Sequence, residues 1–484
     1  MGKVTGLSIA DVAALPTAKL LFGALDSPFT GVTIDTREDH LNGKLYIALK
    51  GERQDGHEFI EQAAAKGVRC VLIEQRGVEK ARVLYASGKL SSAVMVADTL
   101  TAMGELAKRY RVRLNAKIVA VTGSNGKTSV KDFVASILST TYRTYSAPRS
   151  FNNAIGVPWT ILQITPDIQA GVLEMGMNHP GEIAALCEIA NPDMVAITTI
   201  ASAHVGFFRS LRQVAMAKSE ILTASRPGIP AFLPADSPFV PMLLKRAVHK
   251  KVMTFGISAN AQLQLREVRA NVKNISFGIR TGSTLSKFRC PNLGEHQLTN
   301  VVLAIGISTQ FAVPLKKIRA AVSKLRLPAG RGEMIQVNGH VLINDSYNAN
   351  PGSMAASLKR ISVLRKLLKE RGSKQRWDVI LVLGDMLELG SHSKQYHKDL
   401  GAQAKTLNPW KIVFVGEHGV EVRRGYIAAG GRRESILCFS SAEAVTTILR
   451  QWMGEREKLV ILLKASNQIK LGHITSIICQ KMSE

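Results

Sequence analysis

The sequence predicts an α/β protein of three units. From Ile118 onward, short β-branched runs alternate with helical stretches, the pattern of parallel strands covered by helices. A second series of the same kind begins near Val341. Between the two lies LRLPAGRGE (325–333), whose Pro and Gly residues read as a hinge. At roughly 150 residues per domain, the 484 residues suit about three domains. The expected bounds are 1–98, 99–325 and 326–484.

Before Asp98, the segments GVTIDTRE, KLYIALKG, VRCVLIE and SAVMVAD read as short strands around one helix, EFIEQAAAKG. The helical DTLTAMGELAKRYR then leads into the central unit. There IVAVT (118–122) runs into a glycine turn and the helix SVKDFVASIL, which places Val130, Phe133, Val134 and Ile137 on one face. AGVLE (170–174) and MVAITTI (194–200) read as further buried strands, and the helix-like NVVLAIGISTQF and PLKKIRAAVSKL close the unit. The last unit takes its strands from VLIND (341–345), DVILVLGD (378–385), KIVFVG (411–416) and KLVILLKAS (458–466).

Composition narrows the function classes. With 46% hydrophobic and 21% charged residues, the chain matches a folded, soluble protein. Its 63 Lys+Arg against 37 Asp+Glu give +26, which excludes an acidic solvating chain. Such a balance admits nucleic acid, an anionic membrane surface, or substrates carrying phosphates and carboxylates. The charge is not a tail, because residues 326–484 carry 24 Lys+Arg and 14 Asp+Glu, close to their proportional share. The densest run, KRISVLRKLLKERGSKQR (359–376), keeps Ile361, Leu364, Leu367 and Leu368 at helical spacing and reads as a helix with a solvated outer face. Cys70, Cys187, Cys290, Cys438 and Cys479 are scattered without a CxxC pair, so neither a disulfide framework nor a zinc site is expected, and a reducing cytoplasm fits. No apolar stretch approaches the roughly 20 residues of a membrane span.

The strongest local signal is TGSNGKTS, Thr122–Ser129, between a predicted strand and a predicted helix. A glycine turn there converges backbone N–H groups on phosphate oxygens, Lys127 can reach a terminal phosphate, and the Thr128 hydroxyl can ligate magnesium. Only two residues separate Gly123 from Gly126, against four in the general P-loop. Polar residues recur just after the apolar strands, where open α/β sheets form ligand crevices: Glu174, His204, Asp345, Asp385 and Ser466. Glu174 and Thr128 offer the hard oxygens that magnesium accepts. His204 and Lys218 are bland in isolation, as a core histidine and a helix-surface lysine. Asn152, Asn153, Asn348 and Asn350 suit turns, with or without a polar ligand. Tyr347 can supply a stacking ring.

In this order the motifs resemble the Mur ligases of peptidoglycan synthesis, over nearly the whole chain from DTRE to LLKAS. TGSNGKTS is similar to that family's short P-loop, and FNNAIGVP, LEMGMNHPGEI, AKSEI, GEHQLTN, PAGRGEM and DSYNANPGSM follow in family order. The resemblance implies a UDP-binding N-terminal domain, a central P-loop ATPase domain and a Rossmann-like C-terminal domain. It implies ATP held by Gly123, Ser124, Asn125, Gly126, Lys127, Thr128, Ser129, Asn300, Arg331 and Asp345. Two magnesium ions would be held through Thr128, Glu174, His204 and a carbamylated Lys218, and Lys127, Lys218 and His204 would be the catalytic residues. Asp35, Thr36, Arg37, Lys50 and Gly51 would cradle a UDP-sugar. Asn152, Asn153, Tyr347, Asn348, Asn350 and Ser353 would complete the substrate site.

DSYNANPGSM and GDMLELG, followed by His397, favour the member that adds D-alanyl-D-alanine to UDP-N-acetylmuramoyl-tripeptide, acting as a monomer without nucleic-acid partners. A sibling that adds a diamino acid or polyglutamate is the alternative within the family. A nucleotide-switched nucleic-acid-binding protein is the alternative from charge alone. Two segments depart from the family pattern. Val205-Gly206-Phe207-Phe208-Arg209 replaces Leu-Glu-x-Phe-Gly after His204, and Asn467 stands where Lys-Gly-Ser-Arg has its arginine.

Overall fold

The computed structural model describes residues 6–201, 208, 210–370 and 376–480, and it contains three sheets in three α/β domains. The first sheet comprises β1 (Lys19–Phe22), β2 (Val32–Thr33), β3 (Leu45–Ile47), β4 (Cys70–Ile73) and β5 (Ser92–Met95), ordered β1-β5-β4-β3-β2. Only β1 runs antiparallel. GVTIDTRE contributes just the two residues of β2; the rest is a turn in which Asp35 accepts the Arg37 N–H at 2.9 Å. The helix Thr99–Arg113 begins at Asp98, whose carboxylate caps the Thr101 N–H. It buries Met103, Leu106 and Tyr110 in a core shared by the first and second sheets.

The second sheet comprises β6 (Lys117–Thr122), β7 (Thr144–Ser146), β8 (Ala170–Glu174), β9 (Met194–Ile197), β10 (Pro230–Pro234), β11 (Lys251–Gly256), β12 (Leu263–Ala270), β13 (Asn274–Thr281) and β14 (Thr284–Pro291). Their order is β14-β13-β12-β11-β10-β9-β6-β8-β7. From β7 to β12 all pairs are parallel, but β12, β13 and β14 form an antiparallel ribbon that the sequence reading did not foresee. The ribbon buries Ile275, Phe277, Ile279, Phe288 and Cys290 in the core under the helix Leu298–Gln310. Val272, at its tip, packs into the core of the third domain.

The third sheet comprises β15 (Glu333–Val337), β16 (His340–Asn344), β17 (Asp378–Gly384), β18 (Lys411–Val415), β19 (Ile436–Phe439) and β20 (Leu459–Lys464), ordered β15-β16-β20-β17-β18-β19. An Asn338-Gly339 turn with both φ angles positive closes the antiparallel β15–β16 hairpin. The other strands are parallel and nearly all apolar, covered on both faces. The helix Pro351–Glu370 lays Met354, Leu358, Ile361, Leu364 and Leu368 on that core. Its outer face is not wholly solvated. Arg360 is 8% exposed and donates to the carbonyls of Gly332 at 2.5 Å and Asn292 at 3.3 Å, tying the helix to the second domain.

Candidate active site

The phosphate loop sits where the sequence places it, between β6 and the helix Lys127–Leu138. Gly126 adopts φ +85°, and that helix has no side-chain cap, so its first N–H groups open onto a cavity. Asn300 explains why residue 126 has no side chain, since an added Cβ would lie 2.6 Å from its Oδ1. The segment after β9 holds the loop from below. Ser124 N donates to the Thr199 carbonyl at 2.8 Å, and Asn125 N donates to Thr199 Oγ1 at 3.0 Å. Lys127 Nζ rests on the Gly123 carbonyl at 2.9 Å.

Glu174, at the end of β8, is buried and takes two donors. Thr128 Oγ1 donates to Oε2 at 2.6 Å, and Asn152 Nδ2 to Oε1 at 2.8 Å. Ser150 Oγ lies 3.0 Å from Thr128 Oγ1 and accepts from Arg331 at 3.1 Å. This carboxylate and two hydroxyls make a hard-oxygen set that fits magnesium. Lys218, which ends the helix Leu211–Lys218, is 1% exposed. Burial, reinforced by Lys127 and opposed by Glu174, holds its pKa well below the usual lysine range. Burial also lowers Lys127, with Glu174 opposing and Arg331 adding to the shift. His204 lies outside the described residues.

The third domain closes the other side of the cavity. Arg331 stacks on Tyr347, 4.0 Å from the ring centroid. Asp345 Oδ2 accepts from Lys464 Nζ at 2.7 Å and Ser357 Oγ at 2.5 Å. Lys464 also donates to the Asn348 carbonyl at 3.1 Å. Asn350 and Ser353 form a reciprocal cap: Ser353 N donates to Asn350 Oδ1 at 2.9 Å, and Asn350 N donates to Ser353 Oγ at 3.0 Å. Pro351 follows at the first helical position. The Asn350 amide reaches Asn125 Oδ1 at 2.7 Å, across the two domains. The cavity, open to solvent on one side, has a volume of about 450 Å³.

Of the residues singled out in the sequence, Ser124 to Ser129, Asn152, Glu174, Asn300, Arg331, Asp345, Tyr347, Asn348, Asn350 and Ser353 all line this cavity. Gly123, Lys218 and Asn153 do not; Asn153 Oδ1 accepts the N–H groups of Ile155 and Gly156 and starts the next helix. Asp35, Thr36, Arg37, Lys50 and Gly51 also lie elsewhere, in the first domain. Arg37 forks onto Asp35 at 2.7 to 3.2 Å, and buried Thr36 donates to Gln62. Arg37 holds the Asp35 carboxyl below the ordinary range, and the charge of Arg149 in the second domain adds to the effect. Gly51 N donates to the Gln54 carbonyl, and the backbone of exposed Lys50 pairs with that of Asp55 as an isolated antiparallel β-bridge.

Sequence reasoning missed Ser150, Thr199, His296 and the Lys464–Asp345 pair. Asp385, expected at a crevice, instead ties down the loop after β18. It accepts from Glu417 N at 2.7 Å and pairs with His418 Nδ1 at 3.1 Å. His397 stacks on His418, and its Nε2 accepts the Met386 N–H at 3.0 Å, so the lone pair a metal would need is already used.

A phosphate loop facing a third domain across a cavity, with a buried carboxylate beside the loop, defines a nucleotide-dependent ligase, and the chain belongs to the Mur ligase family. Residues 121–308 match the Mur ligase middle domain, 330–467 the Mur ligase glutamate ligase domain, and 28–111 the Mur ligase family catalytic domain. The chain is 34% identical over 94% of its length to the UDP-N-acetylmuramoyl-tripeptide–D-alanyl-D-alanine ligase of Bacillus subtilis, covering 96% of that protein. It is 33% identical to the enzyme of the same name from Escherichia coli, over 93% of each chain. The crystal structure of MurF from Acinetobacter baumannii superposes with a TM-score of 0.79 at 28% identity, over 94% of this chain and 93% of that one. A MurF structure from Thermotoga maritima in complex with ADP shares the fold, with a TM-score of 0.76 at 22% identity over 94% and 98%. No described helix is long and apolar enough to cross a membrane.

Proposed function

We propose that this ligase adds D-alanyl-D-alanine to UDP-N-acetylmuramoyl-tripeptide in the cytoplasm, with ATP converted to ADP and phosphate. One observation carries the reading: the uncapped helix N-terminus, Lys127, the Thr128–Glu174 pair and Arg331 converge on a single interdomain cavity. The helix N-terminus and Lys127 suit the polyphosphate of ATP. The base would lie toward Asn300 and His296, where a neighbouring, mostly apolar cavity shares His296 and Thr299. Glu174, Thr128 and Ser150 would hold magnesium, which when bound offsets the charge spread over phosphoryl oxygens.

An amide cannot form from a free carboxylate without activation, so the tripeptide carboxylate would attack the γ-phosphate in line and release ADP. The dipeptide amine would then displace phosphate from the acyl phosphate. Lys127 and Arg331 would stabilise the anionic oxygens of these steps. Arg331, Asp345 and Tyr347 come from the third domain, so its closure assembles the site and excludes the water that would hydrolyse the intermediate. The depressed pKa of Lys218 supports a neutral amine able to accept carbon dioxide as a carbamate, which would turn a cation into a further oxygen ligand. The turn at Asp35–Arg37, with Lys50 and Gly51, would take the UDP-sugar beside Arg149.

The test offers purified protein D-alanyl-D-alanine or meso-diaminopimelate with ATP and the UDP-tripeptide and follows phosphate release. Turnover with the diamino acid and none with the dipeptide would refute the substrate assignment. Lys127→Ala should lose at least a hundredfold in substrate-dependent ADP formation, about the cost of one transition-state donor. Near-normal turnover of that variant would refute the phosphate-loop assignment.

A further inference from the structure

We propose that the outer face of the β12–β14 ribbon is a docking surface for an anionic phospholipid leaflet. Strand alternation turns Ile275, Phe277, Ile279, Phe288 and Cys290 inward. The register turns Arg266, Arg269, Arg280, Lys287 and Arg289 outward, all exposed. One cross-strand row reads Arg269–Ser276–Arg289 and the next Arg266–Gly278–Lys287, so small residues separate the two columns of cations. At about 4.8 Å between strands, the columns stand roughly 10 Å apart.

Residues 263–291 carry six Lys+Arg and one acidic residue. That residue, Glu267, lies 3.9 Å from Lys287. Among the described residues, the side chains of Arg266, Arg269, Arg280 and Arg289 make no hydrogen bond or ion pair. The helix Leu315–Val322, which lies against β14, extends the positive surface with Lys316 and Arg319; Arg319 donates to the Lys287 carbonyl.

Protection of a sheet edge is the plainer explanation for such cations. It requires them only on β14, the edge strand, whereas here they extend two strands inward to β12. None of the five outward cations lines the interdomain cavity, so the polyphosphate does not account for them. The face carries no aromatic ring on which a base could stack. Leu285 is the one large apolar side chain on it, packed over Gly278. An array of five cations, four of them without an ion-pair partner among the described residues, matches a diffuse sheet of phosphate headgroups.

The full-length protein would be mixed with vesicles of phosphatidylcholine alone, or of three parts phosphatidylcholine to one part phosphatidylglycerol, and floated on a density gradient. It should float with the anionic vesicles only and be released by about 0.5 M salt, where screening acts within a few ångströms. Arg266→Ser/Arg269→Ser/Arg280→Ser/Arg289→Ser should lower partitioning by a factor on the order of 10² to 10³, since each cation near an anionic leaflet contributes roughly fivefold. Ligase activity in solution should remain intact, showing that the variant folds. A charge-matched control in the first domain, Lys19→Ser/Lys66→Ser/Arg82→Ser/Lys89→Ser, should lose far less. Failure of the native protein to float at low salt would overturn the proposal, as would equal losses in the two variants. Ribbon-dependent retention of duplex DNA or RNA without flotation would overturn it in favour of nucleic acid.

Discussion

Gly126→Ala tests whether the phosphate loop is shaped by its neighbours as described. Two separate costs apply. The backbone at φ +85° is left-handed, which for an L-residue costs roughly 1–2 kcal/mol. The new methyl also falls 2.6 Å from Asn300 Oδ1 and 2.8 Å from its Nδ2. Asn300 is buried and bonded to Gln297 at 2.8 Å, so it cannot swing away freely, and overpacking of this kind costs about 1–3 kcal/mol. The sum is about 2–5 kcal/mol, a large part of the 5–15 kcal/mol that stabilises a typical domain.

The two costs separate in a double-mutant cycle. On an Asn300→Ala background the overlap is gone and only the backbone cost remains, so the coupling should be about 1–3 kcal/mol. Three domains need not melt in one step. The readout is therefore native-state hydrogen exchange of the Lys127–Leu138 helix, together with calorimetric ADP binding. A Gly126→Ala penalty below about 0.5 kcal/mol, within the range of ordinary surface substitutions, would refute the reasoning. So would the same penalty in both backgrounds.

Lys464→Met should destabilise the third domain by about 2–3 kcal/mol in urea unfolding. Removing one partner of a buried pair costs roughly 3–5 kcal/mol, reduced here because the Asp345 side chain is 19% exposed and keeps Ser357. Adding Asp345→Asn should recover part of the loss, and no recovery would refute the pairing. Crowded by the walls of the interdomain cleft and with Arg360 beside it, His296 is held at about 4, below its ordinary 6.5, even though part of the residue is open to solvent. Protonation therefore opposes the fold: the neutral ring's contribution, kept small by solvent at the exposed edge, is complete above pH 6.5 and lost as pH falls toward 4. An NMR midpoint near 6.5 in the ligand-free protein would contradict this environment. Lys218→Ala should abolish ligation and recover partly with added short carboxylic acids, whereas full activity without them would rule out a carbamate.

What was legible in the sequence was local. The phosphate loop needs only a strand, a glycine turn and a helix in succession, so eight consecutive residues announce it. Glu174 was legible for the same reason, as the first polar residue after an apolar strand. Asn350 and Ser353 read as ligand contacts, yet Asn-Pro-x-Ser is also the signature of a capped helix start, and that is the geometry they adopt. Arg360 was hidden because a cation at helical spacing on a basic helix looks solvated. The carbonyls it meets come from distant segments, Gly332 of the hinge and Asn292 of the second domain, which only the folded chain brings to it. Lys464 ends a strand whose sequence says nothing about Asp345, 119 residues earlier, until the sheet order sets β20 beside β16.

The ribbon shows a different kind of failure. Its alternation, with Ile275, Phe277 and Ile279 on one face, is present in the sequence, but it is a weaker signal than the continuous apolar runs of the parallel strands around it. The same alternation bears on the net charge. Counted along the chain, +26 looks evenly spread and invites a solvated surface. Folded, the antiparallel register gathers Arg266, Arg269, Arg280, Lys287 and Arg289 onto one face while their intervening neighbours enter the core. Charge density on a surface follows strand register, which linear counting cannot see. A net +5 of that excess, carried by residues 263–291, therefore has a definite place in the fold, remote in sequence from the phosphate loop.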